Sequence, residues 1–214
     1  TFTGNTASSN GGAIYNDDAD ITFGGDVTFT GNTASSNGGA IYNDDADITF
    51  GGDATFMSNS AKYGGAIYNY YGDITFNENS SLSFSNNTSN GVLNDIYNSS
   101  GTINILGEVK SDIHLISEGG TIGLKAKDTD GDGKVNYGGS YNLKNTTLDL
   151  SGDGVKEITI ENLAVNGSST LKLDVEIKDM GDTYVVLNDI SNLQVTSGAF
   201  DSGIFYVVGG NKNE

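Results

Sequence analysis

The chain has no cysteine, no proline, no tryptophan and no arginine, and its ten basic residues are all lysine. Without cysteine there is neither a disulfide framework nor a thiolate metal site. The compartment stays open, because secreted proteins are not always disulfide-rich. Without proline no strand position loses a ladder donor. No apolar run approaches the roughly 18 residues of a membrane helix, so no membrane insertion is expected. No signal peptide stands at the start. The single histidine is His114. Acidic residues outnumber basic ones 28 to 10, giving a net charge of −18 and an isoelectric point near 4.1. Such a chain repels nucleic acid and anionic lipid, whose binders neutralise phosphates with Lys and Arg. The first lysine is Lys62, so the N-terminal part is a strongly anionic rod.

Against these absences stand 31 glycines in 214 residues and a repeat. Thr28 to Asp53 is a near copy of Thr1 to Asp26, a looser copy starts at Thr55, and a decayed one at Ser83. The marker phenylalanines are Phe2, Phe29, Phe56 and Phe84. A fixed period in this range is the signature of a stacked repeat architecture. The ordered apolar spacing and the β-branched richness between glycines also argue against disorder.

Each early repeat contains three short alternating segments, in the second Val27 to Thr30, Gly39 to Tyr42 and Asp47 to Phe50. Alternation at period two selects one face of a strand. The inward set is Val27 and Phe29, Ile41, then Ile48 and Phe50, and the other repeats keep the register. The pattern predicts an all-β parallel β-helix, or solenoid, with three strands per coil. One coil cannot bury its own apolar face, but coils stacked at about 4.8 Å form a continuous column. Glycine and asparagine suit the corners. The alternative is an antiparallel sandwich with hairpin turns, whose strands seldom repeat so closely. The regular repeats are expected over residues 1–105. Over 106–214 the strand-like segments continue with irregular corners, as one domain. The sequence opens in mid-repeat, so a piece of a longer protein is expected.

The repeats read F-x-x-N followed by G-G-A-I: Phe2 to Asn5 with Gly11 to Ile14, Phe29 to Asn32 with Gly38 to Ile41, and Phe56 to Asn59 with Gly64 to Ile67. This resembles the repeat of the chlamydial polymorphic outer-membrane proteins, and more broadly autotransporter passenger domains. In the fourth repeat the second half has become Gly91 to Ile96 (GVLNDI). Ser169 to Ser197 resembles, loosely, the passenger region that precedes a membrane barrel. The resemblance implies a right-handed parallel β-helix, a bacterial cell-surface location anchored through a part outside this chain, and an adhesive role. The implied partner is a host or environmental glycan or protein receptor, met by a monomeric shaft.

Among local motifs, Asp128, Asp130 and Asp132 stand at alternate positions with Gly131 and Gly133 between and after. This resembles the start of an EF-hand or dockerin loop, in which these carboxylates, the Lys134 carbonyl and Asn136 would hold a structural Ca2+. The twelfth position is Gly139 where a bidentate glutamate belongs, and no helical pattern flanks the loop. A solvated acidic turn is the plainer reading. Tyr15, Tyr42, Tyr68 and Tyr97 fall on the opposite parity to the inward isoleucines, with Tyr70 and Tyr71 beside them. They form the candidate contact stripe for sugar rings or a protein, weighed against simple cross-coil packing. The columns Asn5–Asn32–Asn59–Asn87 and Asn16–Asn43–Asn69–Asn98 are read as bonded along the corners. The recurring Asp17, Asp18 and Asp20 of the first repeat are read as splayed into water. Outward threonines form too few clean rungs for ice binding, since Met57 breaks a column.

No catalytic residue is expected. Glycoside hydrolysis needs two carboxylates in different environments, whereas the repeat aspartates are equivalent. Lysine avoids the repeats except at Lys62, and His114 lies in an apolar segment, a structural placing. The rival is a carbohydrate-active β-helix enzyme, a polysaccharide lyase or hydrolase, since fold alone does not exclude one. A plain stalk is a third reading.

Overall fold

A computed structural model describes residues 1–132, 134–151, 157–172 and 184–187. The described residues form strands and turns, with every strand pair parallel but one. The expected columns are real ladders. Phe2 pairs with Phe29, Phe29 with Phe56, and Phe56 with Phe84. Ile14, Ile41, Ile67 and Ile96 are successive partners in a second ladder. Ile21, Ile48, Ile74 and Ile103 are partners in a third. The described residues form a β-solenoid.

The strands beginning at Ile14–Asp17 and at Ile21–Phe23 head two ladders of seven strands each, which end at Leu163–Asn166 and Thr170–Lys172. We call them the tyrosine ladder and the threonine ladder, after their outward residues. A five-stranded phenylalanine ladder starts at Phe2–Thr3 and ends at Glu108–Val109. Beyond it Lys134–Tyr137, Glu157–Ile160 and Tyr184–Leu187 form a separate three-stranded sheet.

Sequence periodicity marks three strands per coil, but the first four coils carry a fourth. Thr6–Ala7, Thr33–Ala34, Ser60–Ala61 and Thr88–Ser89 pair in register. Two residues are too few to show a period, so alternation could not reveal this ladder. The segment expected at Gly39 to Tyr42 is also displaced: the strand is Ile41–Asp44. Gly38 takes a φ of +63°, which turns the chain. A Cβ on Gly39 would strike the Gly65 carbonyl oxygen of the next coil.

Along the tyrosine ladder the successive partners are Ile14, Ile41, Ile67, Ile96, Leu115, Tyr141 and Leu163. Their number differences give coils of 27, 26, 29, 19, 26 and 22 residues. The 19-residue coil is short because it omits the fourth strand. The short ladder ends there in a hairpin, with Val92–Leu93 folded antiparallel onto Thr88–Ser89. Asn90 and Gly91 form the turn with φ of +50° and +80°, the left-handed pair that a two-residue hairpin demands.

The core is a single column. Phe29, Phe50, Phe56 and Phe76 are fully buried, and the phenylalanine rings of neighbouring coils stack at 4.7–5.2 Å between centroids. Rings of the phenylalanine ladder meet those of the threonine ladder edge-on, as Phe50 does Phe56 at 5.9 Å. Both geometries are favoured by the ring quadrupole. Fully burying such a side chain contributes roughly 1.5–3 kcal/mol. In later coils Tyr137 and Tyr141 take over the filling. The Tyr137 hydroxyl accepts a bond from the Ala126 backbone N–H at 2.8 Å. Among the described residues no helix is long and apolar enough to cross a membrane.

Candidate contact face and acidic loop

Both asparagine columns run along corners as hydrogen-bonded ladders, as their spacing implied. Asn32 donates Nδ2 to Asn59 Oδ1 at 2.9 Å, and Asn59 donates Nδ2 to Asn87 Oδ1 at 2.9 Å. The second column links Asn16, Asn43, Asn69 and Asn98 at 2.7–2.9 Å. Except for Asn5, which is exposed, these side chains are buried, and the next coil and turn carbonyls engage their polar atoms. Their task is structural.

The corner aspartates do more than splay into water. Asp20 Oδ1 accepts from the Asp47 N–H at 3.1 Å, Asp47 Oδ1 from the Asp73 N–H, and Asp73 Oδ1 from the Thr102 N–H. Asp26 and Asp53 do the same for Asp53 and Ser81. The Ser81 backbone N–H, followed by its hydroxyl, holds the Asp53 carboxyl below the usual range. Each such carboxylate caps the chain one coil on.

The tyrosine stripe is outward and stacked. Tyr15 lies on Tyr42 at 5.1 Å, Tyr42 on Tyr68 at 5.4 Å and Tyr68 on Tyr97 at 5.1 Å, with planes within 15° of parallel. Stacking covers the faces: Tyr15, at the end, is 53 % exposed and Tyr42 only 8 %. The Tyr42 hydroxyl donates to Asp44 Oδ2 at 3.2 Å. Burial, then the Asp44 charge and this bond, push the Tyr42 hydroxyl up; burial and Glu118 do the same at Tyr97. Tyr70 and Tyr71 meet edge-on at 4.2 Å at the end of the strand, and both are exposed. The Tyr71 hydroxyl is the main cause of a raised Tyr70 pKa. Tyr63, unmarked in the sequence reading, lies edge-on to Tyr97 at 5.4 Å. Its link to the stripe runs through the fourth-strand corner, which periodicity did not show.

Carboxylate oxygens of Asp128, Asp130 and Asp132 lie within 4.8 Å of one another. The loop is held by side-chain-to-backbone bonds: Asp128 Oδ1 accepts from Gly131 N–H at 2.7 Å, Asp130 Oδ1 from Asp132 N–H, and Asp132 Oδ1 from Lys134 N–H. Lys134 and Asn136 belong to the following strand Lys134–Tyr137, whose partner is Glu157–Ile160. Gly139 has a φ of +106° and packs on Ile113, so no glutamate fits at the twelfth position. The three aspartates are thus brought together, with the rest of the ligand set incomplete.

Two constellations escaped the sequence. Asp149 binds Lys125 and Lys172 at 3.2 and 3.0 Å and accepts from Ser151. Burial raises its pKa, but the Ser151 and lysine bonds outweigh this and bring it to about 2. Asp95 takes the place of the alanine in G-G-A-I and is 2 % exposed. Its oxygens accept from Asn87 Nδ2 at 2.9 Å and from the His114 backbone N–H at 2.8 Å. An acid replacing a buried alanine was the available signal. The His114 ring bonds Ser140 Oγ at 3.0 Å. Ser169 to Ser197 lies mostly outside the described residues, as does the tail from Asn211 to Glu214.

No curated protein and no solved structure matches the chain. Residues 1–17, 26–44 and 53–70 each match the Chlamydia polymorphic membrane protein repeat, so the first three coils of this solenoid are built from the repeat of that family.

Proposed function

We propose that the chain is part of a bacterial surface passenger domain that works as a non-enzymatic adhesin: a right-handed solenoid shaft, with three principal strands per coil, holding a contact face away from the cell. The observation that carries this reading is the in-register stacking of family-type repeats into one rigid column. Solenoids hold side-chain rows at fixed spacing, and binding residues are grafted on their corners and faces. The contact face is the tyrosine stripe Tyr15, Tyr42, Tyr68 and Tyr97 with Tyr70 and Tyr71, and the partner is a glycan or protein receptor. The anionic surface disfavours nucleic acid. The shaft acts as a monomer, anchored to the outer membrane through a region outside this chain.

The non-enzymatic reading is supported by how the acids are used. Repeat aspartates cap backbone N–H groups, and Asp149 is engaged by lysines and serine. Neither arrangement sets two carboxylates in different environments across a cleft, as glycoside hydrolysis requires. The Asp128 loop, with Asp130 and Asp132, takes a structural calcium ion that Lys134 and Asn136 would help hold, its remaining coordination completed by water.

Adhesion of the purified chain to host cells and to arrayed glycans and matrix proteins tests the proposal. Saturable binding that falls in a Tyr71→Ala variant, with no glycan turnover, is expected. Release of oligosaccharide products would instead establish the enzyme.

A further inference from the structure

Where the tyrosine ladder turns into the threonine ladder, the surface carries rings and carboxylates together. Coil one places Asp17, Asp18 and Asp20 there, and coil two Asp44, Asp45 and Asp47. In coil three Tyr70 and Tyr71 follow Asn69, the partner of Asn43, and so continue the rungs of Asp44 and Asp45; Asp73 closes the turn. The Tyr70 N–H donates to the Asn43 carbonyl at 2.9 Å, which fixes that rung. All these carboxylates are exposed except the half-buried Asp44, and Tyr71 is 52 % exposed. No lysine precedes Lys62, and Lys62 stands before the tyrosine-ladder strand, at its opposite end.

Stacking closes the ring faces inside the column, so a sugar ring cannot lie flat on Tyr42 or Tyr68. What stays open is the Tyr71 ring and the row of acids. A guanidinium or ammonium uses both at once, pairing with a carboxylate while lying against a ring. Among the described residues the ring half of such a contact is seen at Lys62, whose Nζ lies 5.4 Å from the centre of the Tyr63 ring. An anionic glycan would meet only like charge.

We infer that this corner docks an extended, lysine- and arginine-rich segment of a partner protein. The inference rests on the contact-face reading above and narrows it to one chemistry of ligand. Charge complementarity of this kind speeds and orients encounter, and binding weakens as salt rises.

The probe is a fluorescent nona-arginine peptide, titrated with the whole chain at low and high salt. Asp17→Asn combined with Asp45→Asn, and separately Tyr71→Ala, should each weaken binding by about threefold or more. Asparagine is tolerated at the left-handed φ of +52° at Asp45. Tyr71→Phe keeps the ring and should keep the binding. The control Glu78→Gln with Glu161→Gln removes the same charge at two exposed positions elsewhere and should stay within about twofold. Equal weakening by the control would mean that only overall charge is felt, and overturns the inference. So would unchanged binding in the corner variants, or tighter binding of a neutral chito-oligosaccharide or a heparin fragment than of the peptide. Cell adhesion by the whole chain separates the two readings. Adhesion without peptide binding removes this inference alone, and corner-dependent peptide binding without adhesion removes the adhesin.

Discussion

Asn87 donates its Nδ2 to Asp95 Oδ1 at 2.9 Å, and this bond ends an asparagine ladder that runs through four coils. Each earlier asparagine passes its amide to the next coil's asparagine. The next coil has no such corner, because its 19 residues omit the fourth strand. Asp95, in the bend before the strand Ile96–Asn98, supplies the missing acceptor, and its other oxygen receives the His114 N–H. The solenoid can narrow at this point without leaving buried donors unpaired.

Burial raises the Asp95 pKa despite both bonds, and the nearby charges act in opposite senses, His114 lowering it and Asp112 raising it. Between the unfolded value, about 3.9, and the higher folded value, the native state binds more protons than the unfolded state. Stability tied to Asp95 therefore rises as pH falls through the folded value, and is lost above it. Asp95→Ala removes this dependence and strands two donors, at a cost of about 1–3 kcal/mol each. Urea unfolding should show the gap between wild type and Asp95→Ala widening as pH falls from neutrality toward the unfolded value, about 3.9. A gap that narrows on acidification contradicts the raised value.

Asn59 uses its full hydrogen-bonding capacity. Its Nδ2 donates to the Phe29 carbonyl and to Asn87 Oδ1, and its Oδ1 accepts from the backbone and side chain of Asn32. Asn59→Ala leaves several buried groups unpaired, and should cost about 3 kcal/mol or more. Asn5 is exposed at the end of its ladder, its side chain donating to Asn32 Oδ1 at 2.8 Å, and Asn5→Ala should cost about 1 kcal/mol or less. Chemical denaturation of the two variants compares them directly. Similar losses would mean that the ladder adds little in the interior.

The phenylalanine and isoleucine columns were legible because they recur with one phase, and stacked coils allow no other arrangement of identical repeats. The asparagine ladders were legible for the same reason. The two-residue strand at Thr33–Ala34 was not, since period two needs more residues to declare itself. Beyond Ile105 coil length varies, so the partners Ile96 and Leu115 stand 19 apart where the earlier pairs stand 26 to 29 apart. Asp95 and Asp149 gain their surroundings from the irregular coils, and Tyr63 from the fourth-strand corner. At the contact face the sequence marked Tyr15 and Tyr42 alike. Their exposure differs because only one of them has a neighbour on each side.

Glycine pairs in the corners should differ sharply in their tolerance of a methyl group. A Cβ on Gly39 would press into the Gly65 carbonyl and lie 2.6 Å from the Ser60 nitrogen, all backbone of the next coil. Gly39→Ala must force coils two and three apart, and an overpacking cost of about 1–3 kcal/mol is expected. A Cβ on Gly24 meets nothing within 4 Å, and its φ is not left-handed. Gly24→Ala should leave the melt unchanged or raise stability by up to about 1 kcal/mol, by restricting the unfolded chain. Thermal melts of the two variants give the comparison, and an intact Gly39→Ala variant would mean that the coils are not packed as tightly as described.

Calcium should stabilise the fold through the Asp128 loop, and only modestly. The carboxylates of Asp128, Asp130 and Asp132 converge within 4.8 Å, and a hard cation relieves their mutual repulsion. Gly139 blocks a glutamate at the twelfth position, so the ion lacks its bidentate ligand and affinity falls toward the weak, extracellular range of about 10⁻⁴–10⁻³ M. At several times that concentration, binding adds about 1 kcal/mol, which moves the melt by about 2–4 °C for a chain of this size. Magnesium should do less, because it demands a tighter octahedron and gives up water reluctantly. Differential scanning calorimetry in calcium, in magnesium and in chelator tests this against Asp130→Asn with Asp132→Asn. The variant should melt at the same temperature in all three. A wild-type melt that ignores calcium makes the loop a solvated turn, braced only by its own backbone bonds.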